Sequence, residues 1–435
     1  MRLISYFALC LFFASHKEAA RILAVFPLPS ISHQVVFRPF IHALAERGHD
    51  VTVITTDPAF PKGETPANLT EIDVHNISYD KWKKIFMRST QGNKDDVLMV
   101  MEAIYDAVTS AIDAQLKDEQ VQKLINDKNK KFDLLILEAC TRPALAFSYV
   151  YKAPVIQMSS FGAALDNYAN VGAPVHPILY PSITHQRLHN LTMWEKVKEL
   201  YIDFLTNRLY ERNKQVEHEM LRKHFGDGIP SVDELNNNVD MLFLNVHPVF
   251  EGIRPVPPSV VYMGGLHVKP PKELPADLKS YLDSSKHGVI YISFGTNVDP
   301  TAFPWDRIEV LVKTFSQLPY DVLWKWNNDV LPGRSDNIKI SKWLPQQDLL
   351  KHPKIKLFIT QAGLQSTDEA ITAGVPLIAI PMIGDQFYNA EKYEYHKIGK
   401  KLLMDTLTVE QFKSTIETVI KDDSYRQNMV QLRKV

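Results

Sequence analysis

The chain has 435 residues and a formal net charge of −1, which leaves no electrostatic case for nucleic acid or an anionic membrane as partner. Its hydrophobic (45%) and charged (23%) fractions are those of a globular protein, and single cores stop growing at about 250–300 residues, so two domains are expected. With two cysteines, Cys10 and Cys140, it is not a disulfide-built fold.

Residues 1–20 read as a secretory signal peptide. Arg2 supplies the positive start, Leu3–Ala14 is an apolar run too short to span a bilayer, and Ala19–Ala20 offer a cleavage point. Its removal would leave Cys140 as the one thiol and place the chain in the endoplasmic reticulum lumen or secretory pathway. Sequons at Asn68, Asn76 and Asn190 fit that route. No apolar run reaches about 18 residues, so no transmembrane segment is expected. The last residues, Gln431–Val435, stop inside a helical pattern, and a truncated sequence is expected.

From Arg21 the pattern is β-α-β: the strand RILAVF, a polar turn through His33, an amphipathic stretch Val35–Arg47 with Pro39 expected in its first turn, a stop at Gly48, and the strand Val51–Thr55. Phe132–Glu138 is a second strand entering a polar turn, and residues 83–128 and 193–224 read as charged helices. Seven prolines between Pro248 and Pro275 mark 247–285 as an extended linker between an N-terminal domain, 21–246, and a C-terminal domain, 286–435. The second half begins with a strand over 288–294 and the turn Gly295-Thr296-Asn297, then a helix over 305–317 and a strand over 322–326. Strands alternating with helices on both sides predict an α/β protein of two doubly wound, Rossmann-like domains facing across a cleft.

The richest block is 343–386. Two short apolar strands, Leu357–Thr360 and Val375–Pro381, run into polar residues: Gln361, Gln365, Ser366 and Glu369 after the first, Asp385 and Gln386 after the second. Outside the carboxyl ends of strands in an open α/β sheet, such hydrogen-bonding types suit an anionic nucleotide and a sugar. No Asp-x-Asp occurs, so a metal-clamped diphosphate is not expected. Gly363-Leu364-Gln365-Ser366 instead opens a helix whose N-terminus would receive the diphosphate. His33, between a strand and a helix, is of the residue type that serves as a general base near neutral pH, although a lone His is more often a surface or core residue. Ser366-x-x-Glu369 also fits a helix-capping box, and Gly384-Asp385 also fits a surface turn.

The motif Trp-x-Pro-Gln, then Phe-Ile-Thr-Gln-Ala-Gly, a Glu eight residues past Gln361, and Asp-Gln resembles the signature of the UDP-glycosyltransferase family. The stretches FGTNVDP, LQSTDEA and GDQFYNAEKYEYHKIG are most similar to its insect microsomal UDP-glucosyltransferase branch. The resemblance implies a two-domain GT-B fold and inverting transfer of a hexose from a UDP-sugar co-substrate, with no metal or other cofactor. It implies His33 as base and Glu138 as its carboxylate partner, at a position where many relatives carry Asp; a strand-end role for Glu138 is the alternative. It further implies uracil stacking on Trp343 with Gln346 nearby, phosphate contacts from Thr296, Gln361, Gly363, Gln365 and Ser366, ribose binding by Glu369, and sugar binding by Asp385 and Gln386. Ala362 stands where relatives have Gly, which asks for ordinary backbone angles there. Leu244 stands where the glucuronosyl branch carries Arg, which favours glucose. Residues 83–110 and 160–205, with Phe161, Tyr168 and Met193, are expected to bind a small lipophilic acceptor: xenobiotic, phenolic or hormone-like. Membrane anchoring through a C-terminal helix is a family trait this chain lacks, and a homo-oligomer is compatible with the family. Gln361, Ala362 and Glu138 also keep open a binding protein of the same fold without turnover.

Overall fold

Strands that run hydrophobic from end to end can be buried on both faces only in a parallel sheet covered by helices. The computed structural model, which describes residues 19–89, 97–164 and 166–435, contains two such sheets. Most of the expected signal peptide, residues 1–18, lies outside the described residues. The first sheet comprises β1 (Arg21–Phe26), β2 (Asp50–Thr55), β3 (Leu69–Asp73), β4 (Leu134–Glu138), β5 (Val155–Ser159), β6 (Val239–Leu244) and β7 (Val260–Tyr262), in the order β3-β2-β1-β4-β5-β6-β7. The second comprises β8 (Val289–Ser293), β9 (Asp321–Lys325), β10 (Ile338–Ser341), β11 (Ile355–Thr360), β12 (Leu377–Ala379) and β13 (Gly399–Lys401), in the order β10-β9-β8-β11-β12-β13. All pairings between these strands are parallel.

The period of two sorts each strand's side chains into the two flanking cores. In β1, Leu23 and Val25 enter one cluster while Ile22, Ala24 and Phe26 enter the other. In β8, Val289 and Tyr291 alternate in the same way with Ile290 and Ile292. The cluster containing Tyr291 continues through Leu344 and Leu364 to Leu244 and Phe250, so one apolar core spans both sheets.

Three local expectations are corrected. The first helix runs Ile31–Glu46, four residues earlier than its periodicity suggested, so Pro39 lies in its interior and His33 in its first turn. The residues read as a polar turn have entered the helix, with His33 N–H donating to the Ser30 carbonyl at 3.0 Å. The stretch 247–285 is not one extended linker. Its prolines flank β7, a three-residue edge strand paired with β6, and the helix Ala276–Ser284 follows. A short edge strand keeps proline outside the ladder and so tolerates this composition. Of the three sequons, Asn76 and Asn190 are exposed, but the Asn68 amide donates to the carbonyls of Ala45 and His49 and ties down the start of β3.

Candidate active site

In each sheet the strand order reverses once, between β1 and β4 and between β8 and β11. A crevice opens outside the strand ends at such a point. His33 follows β1 and Glu138 ends β4, while Gly295 and Thr296 follow β8 and Gln361–Gly363 follow β11. Topology thus gathers residues far apart in sequence at two facing switch points.

His33 Nδ1 lies 2.8 Å from Glu138 Oε1. The extra methylene relative to Asp does not open the pair. Glu138 is fully buried, and its second oxygen accepts the Leu28 N–H at 3.1 Å. The Cys140 thiol donates to Oε1 at 3.4 Å. A carboxylate only accepts, so the ring proton sits on Nδ1 and Nε2 presents a lone pair. The turn before His33 is pinned by Gln34, whose Nε2 donates to the Phe26 carbonyl (3.0 Å) and whose Oε1 accepts from Thr55 (2.9 Å). Phe161 packs edge-on against the imidazole at 5.3 Å.

His33 lines a cavity of about 260 Å³ whose opposite wall comes from the C-terminal domain through Met382–Phe387. Asp385 and Gln386 are in that wall, where the turn Gly384-Asp385 leads into the helix Gln386–Tyr395. The surrounding protein pushes the Asp385 carboxyl up to about 6, against the opposing pull of the Asn389 amide (2.8 Å) and of His33. Gln386 Oε1 accepts the N–H groups of Met382 and Ile383, which shapes the loop. The rest of the lining is mostly apolar, with Met101, Ile104 and Val108 from one helix and Phe161 among them. Phe161 is where the acceptor was expected. Tyr168 is not in the cavity wall; it is buried, with its hydroxyl on Glu251 at 3.1 Å. Met193 also lies elsewhere, 72% exposed at the start of the helix Met193–Phe225. Sequence reading missed Cys140, Arg142, Glu217 and Asn297 as lining residues. Cys140 and Arg142 follow Glu138 at the same switch point and were in principle readable from it; Glu217, inside a charged helix, gave no signal.

The C-terminal crevice holds the nucleotide-type residues. Gln346 organises them: its Oε1 accepts from the Tyr291 hydroxyl (2.9 Å), and its Nε2 donates to Ser366 Oγ (2.9 Å) and Glu369 Oε2 (2.8 Å). Burial pushes the Glu369 carboxyl up to about 7, opposed by that Gln346 donor. The capping box does not form, because the helix Leu364–Ala373 has Gly363 as its N-cap and no side chain caps it. Its first-turn N–H groups are therefore left without a side-chain cap. Trp343 is 70% exposed, and Thr296 is exposed on the turn after β8. Gln361 is buried over Gly295, with its oxygen accepting from Thr360 Oγ1 at 3.1 Å.

One expectation here fails. Ala362 does not take ordinary angles: its φ is +70°, the left-handed region that favours the Gly of relatives. Asn389 holds it there, donating to the Ala362 carbonyl at 2.9 Å. Gln365 reaches the other domain, donating to the Ser160 carbonyl at 2.9 Å. His267, kept neutral by burial with its titration lowered to about 4, donates to the Gln365 carbonyl at 3.1 Å. Among the described residues, potential metal ligands gather at His33, Glu138 and Cys140, whose atoms lie within 4.8 Å of one another. An ion there would have to replace the 2.8 Å hydrogen bond that defines the dyad.

Two facing Rossmann-like domains are the build of the GT-B class of glycosyltransferases. The spinosyn forosaminyltransferase SpnP aligns over 97% of this chain and 94% of its own, with a TM-score of 0.62 and 17% identity. The calicheamicin glycosyltransferase CalG4 aligns over 96% and 94%, with a TM-score of 0.61 and 16% identity. These likenesses show the fold.

The family model for UDP-glucoronosyl and UDP-glucosyl transferase matches residues 21–435, and the chain belongs to that family. It is a UDP-glycosyltransferase. The ecdysteroid UDP-glucosyltransferase of Spodoptera littoralis nuclear polyhedrosis virus is 37% identical over 96% of this chain and 84% of its own. The UDP-glucosyltransferase 2 of Dactylopius coccus is 30% identical over 97% and 81%. No helix among the described residues is long and apolar enough to cross a membrane.

Proposed function

We propose that this enzyme transfers glucose from UDP-glucose to a hydroxyl of a lipophilic acceptor, with inversion and without a metal. The observation that carries this is the 2.8 Å His33–Glu138 dyad set in a largely apolar cavity that faces Asp385. The acceptor proton passes to His33 Nε2 as its oxygen forms a bond to the anomeric carbon and the bond to UDP breaks on the opposite face. An α-linked donor gives a β-glucoside. Glu138 holds the tautomer and stabilises the imidazolium. Uracil stacks on Trp343, Glu369 takes the ribose hydroxyls, and the diphosphate meets the helix N-terminus at Gly363 and Ser366 with Thr296 and Gln361 beside it. Asp385 and Gln386 hold the sugar. The names of the viral relatives make an ecdysteroid the first acceptor to try, and Leu244 in place of an Arg supports glucose over glucuronate.

The test is UDP release from UDP-glucose with an ecdysteroid and with small phenols, before and after chelation. Wild-type turnover should survive chelation, and His33→Ala should lose at least ~10³-fold in kcat. Glu138→Gln should come close to that loss. The Leu28 N–H demands the amide oxygen, so the amide NH₂ faces Nδ1 and forces the ring proton onto Nε2. Turnover unaffected by His33→Ala would refute the assignment.

A further inference from the structure

The cavity wall carries a second polar group that the dyad chemistry does not use. Arg142 is 2% exposed, with its guanidinium 3.8 Å from the Tyr210 ring centroid and 5.6 Å from that of Tyr105. Its Nε lies 2.9 Å from Glu217 Oε2, and its Nη2 donates to Glu217 Oε1 at 3.1 Å. Asn213 donates to the same Oε1 at 3.0 Å. Arg142 Nη1 is buried with no hydrogen bond within 3.5 Å, the Tyr210 hydroxyl being its neighbour, and the Tyr105 hydroxyl is buried without a partner as well. Arg142, Tyr105 and Glu217 all line the cavity that holds His33.

Two unpaired donors in one apolar cavity are costly in an empty protein and are satisfied by an incoming acceptor atom. Glu217 already neutralises the guanidinium, so the wall suits a neutral oxygen and not an anion. Met101, Ile104 and Val108 around it suit hydrocarbon. We infer that Arg142 and Tyr105 form a second polar anchor, which selects acceptors bearing a carbonyl or hydroxyl oxygen besides the hydroxyl that is glycosylated. The anchor deepens the reading of this cavity as the acceptor site and rests on it. The acceptor class is then an apolar ring skeleton with at least two oxygens, one at His33 and one at Arg142 and Tyr105.

The probes are a steroid alcohol carrying a ketone remote from its hydroxyl and the same steroid with that ketone removed. Calorimetric binding of each is compared across wild type, Tyr105→Phe and the double variant Arg142→Met with Glu217→Leu. The double change removes both charges together, because losing one would strand the other in the interior. Wild type should bind the ketone form ~10- to 100-fold more tightly than the deoxy form. That ratio should shrink in Tyr105→Phe and approach one in the double variant. Equal wild-type binding of the two steroids, failure of both to bind, or a ratio that persists in both variants would overturn the anchor. UDP release with the same steroids separates the two readings: discrimination without release sinks the proposed glucose transfer to such acceptors and keeps the anchor, and release without discrimination does the reverse.

Discussion

Glu369 has an acidic side chain and a buried place beside Gln346, and together these move its ionisation into the neutral range, to about 7. An ionised carboxylate accepts from both ribose hydroxyls, whereas the protonated form must spend one position as a donor. Because the folded value is raised, the competent form is depleted below pH 7 and complete above it. Uridine affinity should therefore rise up to roughly tenfold between pH 6 and 8, and Glu369→Gln should bind more weakly with no step in that window. Uridine is preferred to UDP because it has no phosphate that titrates there. A pH-independent wild-type affinity would remove Glu369 from the ribose. From sequence, Ser366 and Glu369 fitted a cap as well as a ligand site; only the position of Gly363 as N-cap and the donor from Gln346 separate the two.

At the scale of the element, the turns after β8 and β11 constrain each other. Gly295 has φ +77°, and a Cβ on it would run into the Gln361 amide. Ala362, at φ +70°, holds a conformation that costs a non-glycine residue roughly 1–2 kcal/mol. The two positions should respond differently. Gly295→Ala should lose about 1–2 kcal/mol in urea unfolding and weaken UDP binding by displacing Gln361. Ala362→Gly should be neutral, with relief of strain offsetting the added freedom of the unfolded chain. Destabilisation of Ala362→Gly by more than 1 kcal/mol would mean that the left-handed turn is not strained. Strand identities around these turns were legible because unbroken apolar runs announce parallel strands. The start of the first helix was not, because Ser and His in a first turn look like a loop until the chain's hydrogen bonds are known.

At the scale of the molecule, the switch points must stay opposed. Lys392 is buried in the C-terminal domain, yet its ammonium donates to the carbonyls of Phe250 and Glu251, the latter at 2.7 Å, with the Glu251 carboxylate 3.9 Å away. Tyr388 adds a bond to the Glu251 carbonyl at 3.2 Å, and Asn297 reaches Ser30 across the cleft at 3.2 Å. Lys392→Met would leave the buried Glu251 carboxylate without its cation and the Phe250 carbonyl without its donor, a loss of about 3–5 kcal/mol. We expect calorimetry to show the two domains unfolding in separate transitions, the first below the wild-type midpoint. A single transition at the wild-type temperature would show that the contact does not couple the halves.

The strand pattern and the 343–386 block by themselves determined two doubly wound domains and the family of the chain. These properties reside in local periodicity and in residue types kept together along the chain. The dyad distance, the bond from Gln365 to the other domain, the left-handed turn at Ala362 and the unpaired donors of Arg142 and Tyr105 were decided only by tertiary structure. Each depends on contacts between segments that the sequence separates and the sheet order brings together.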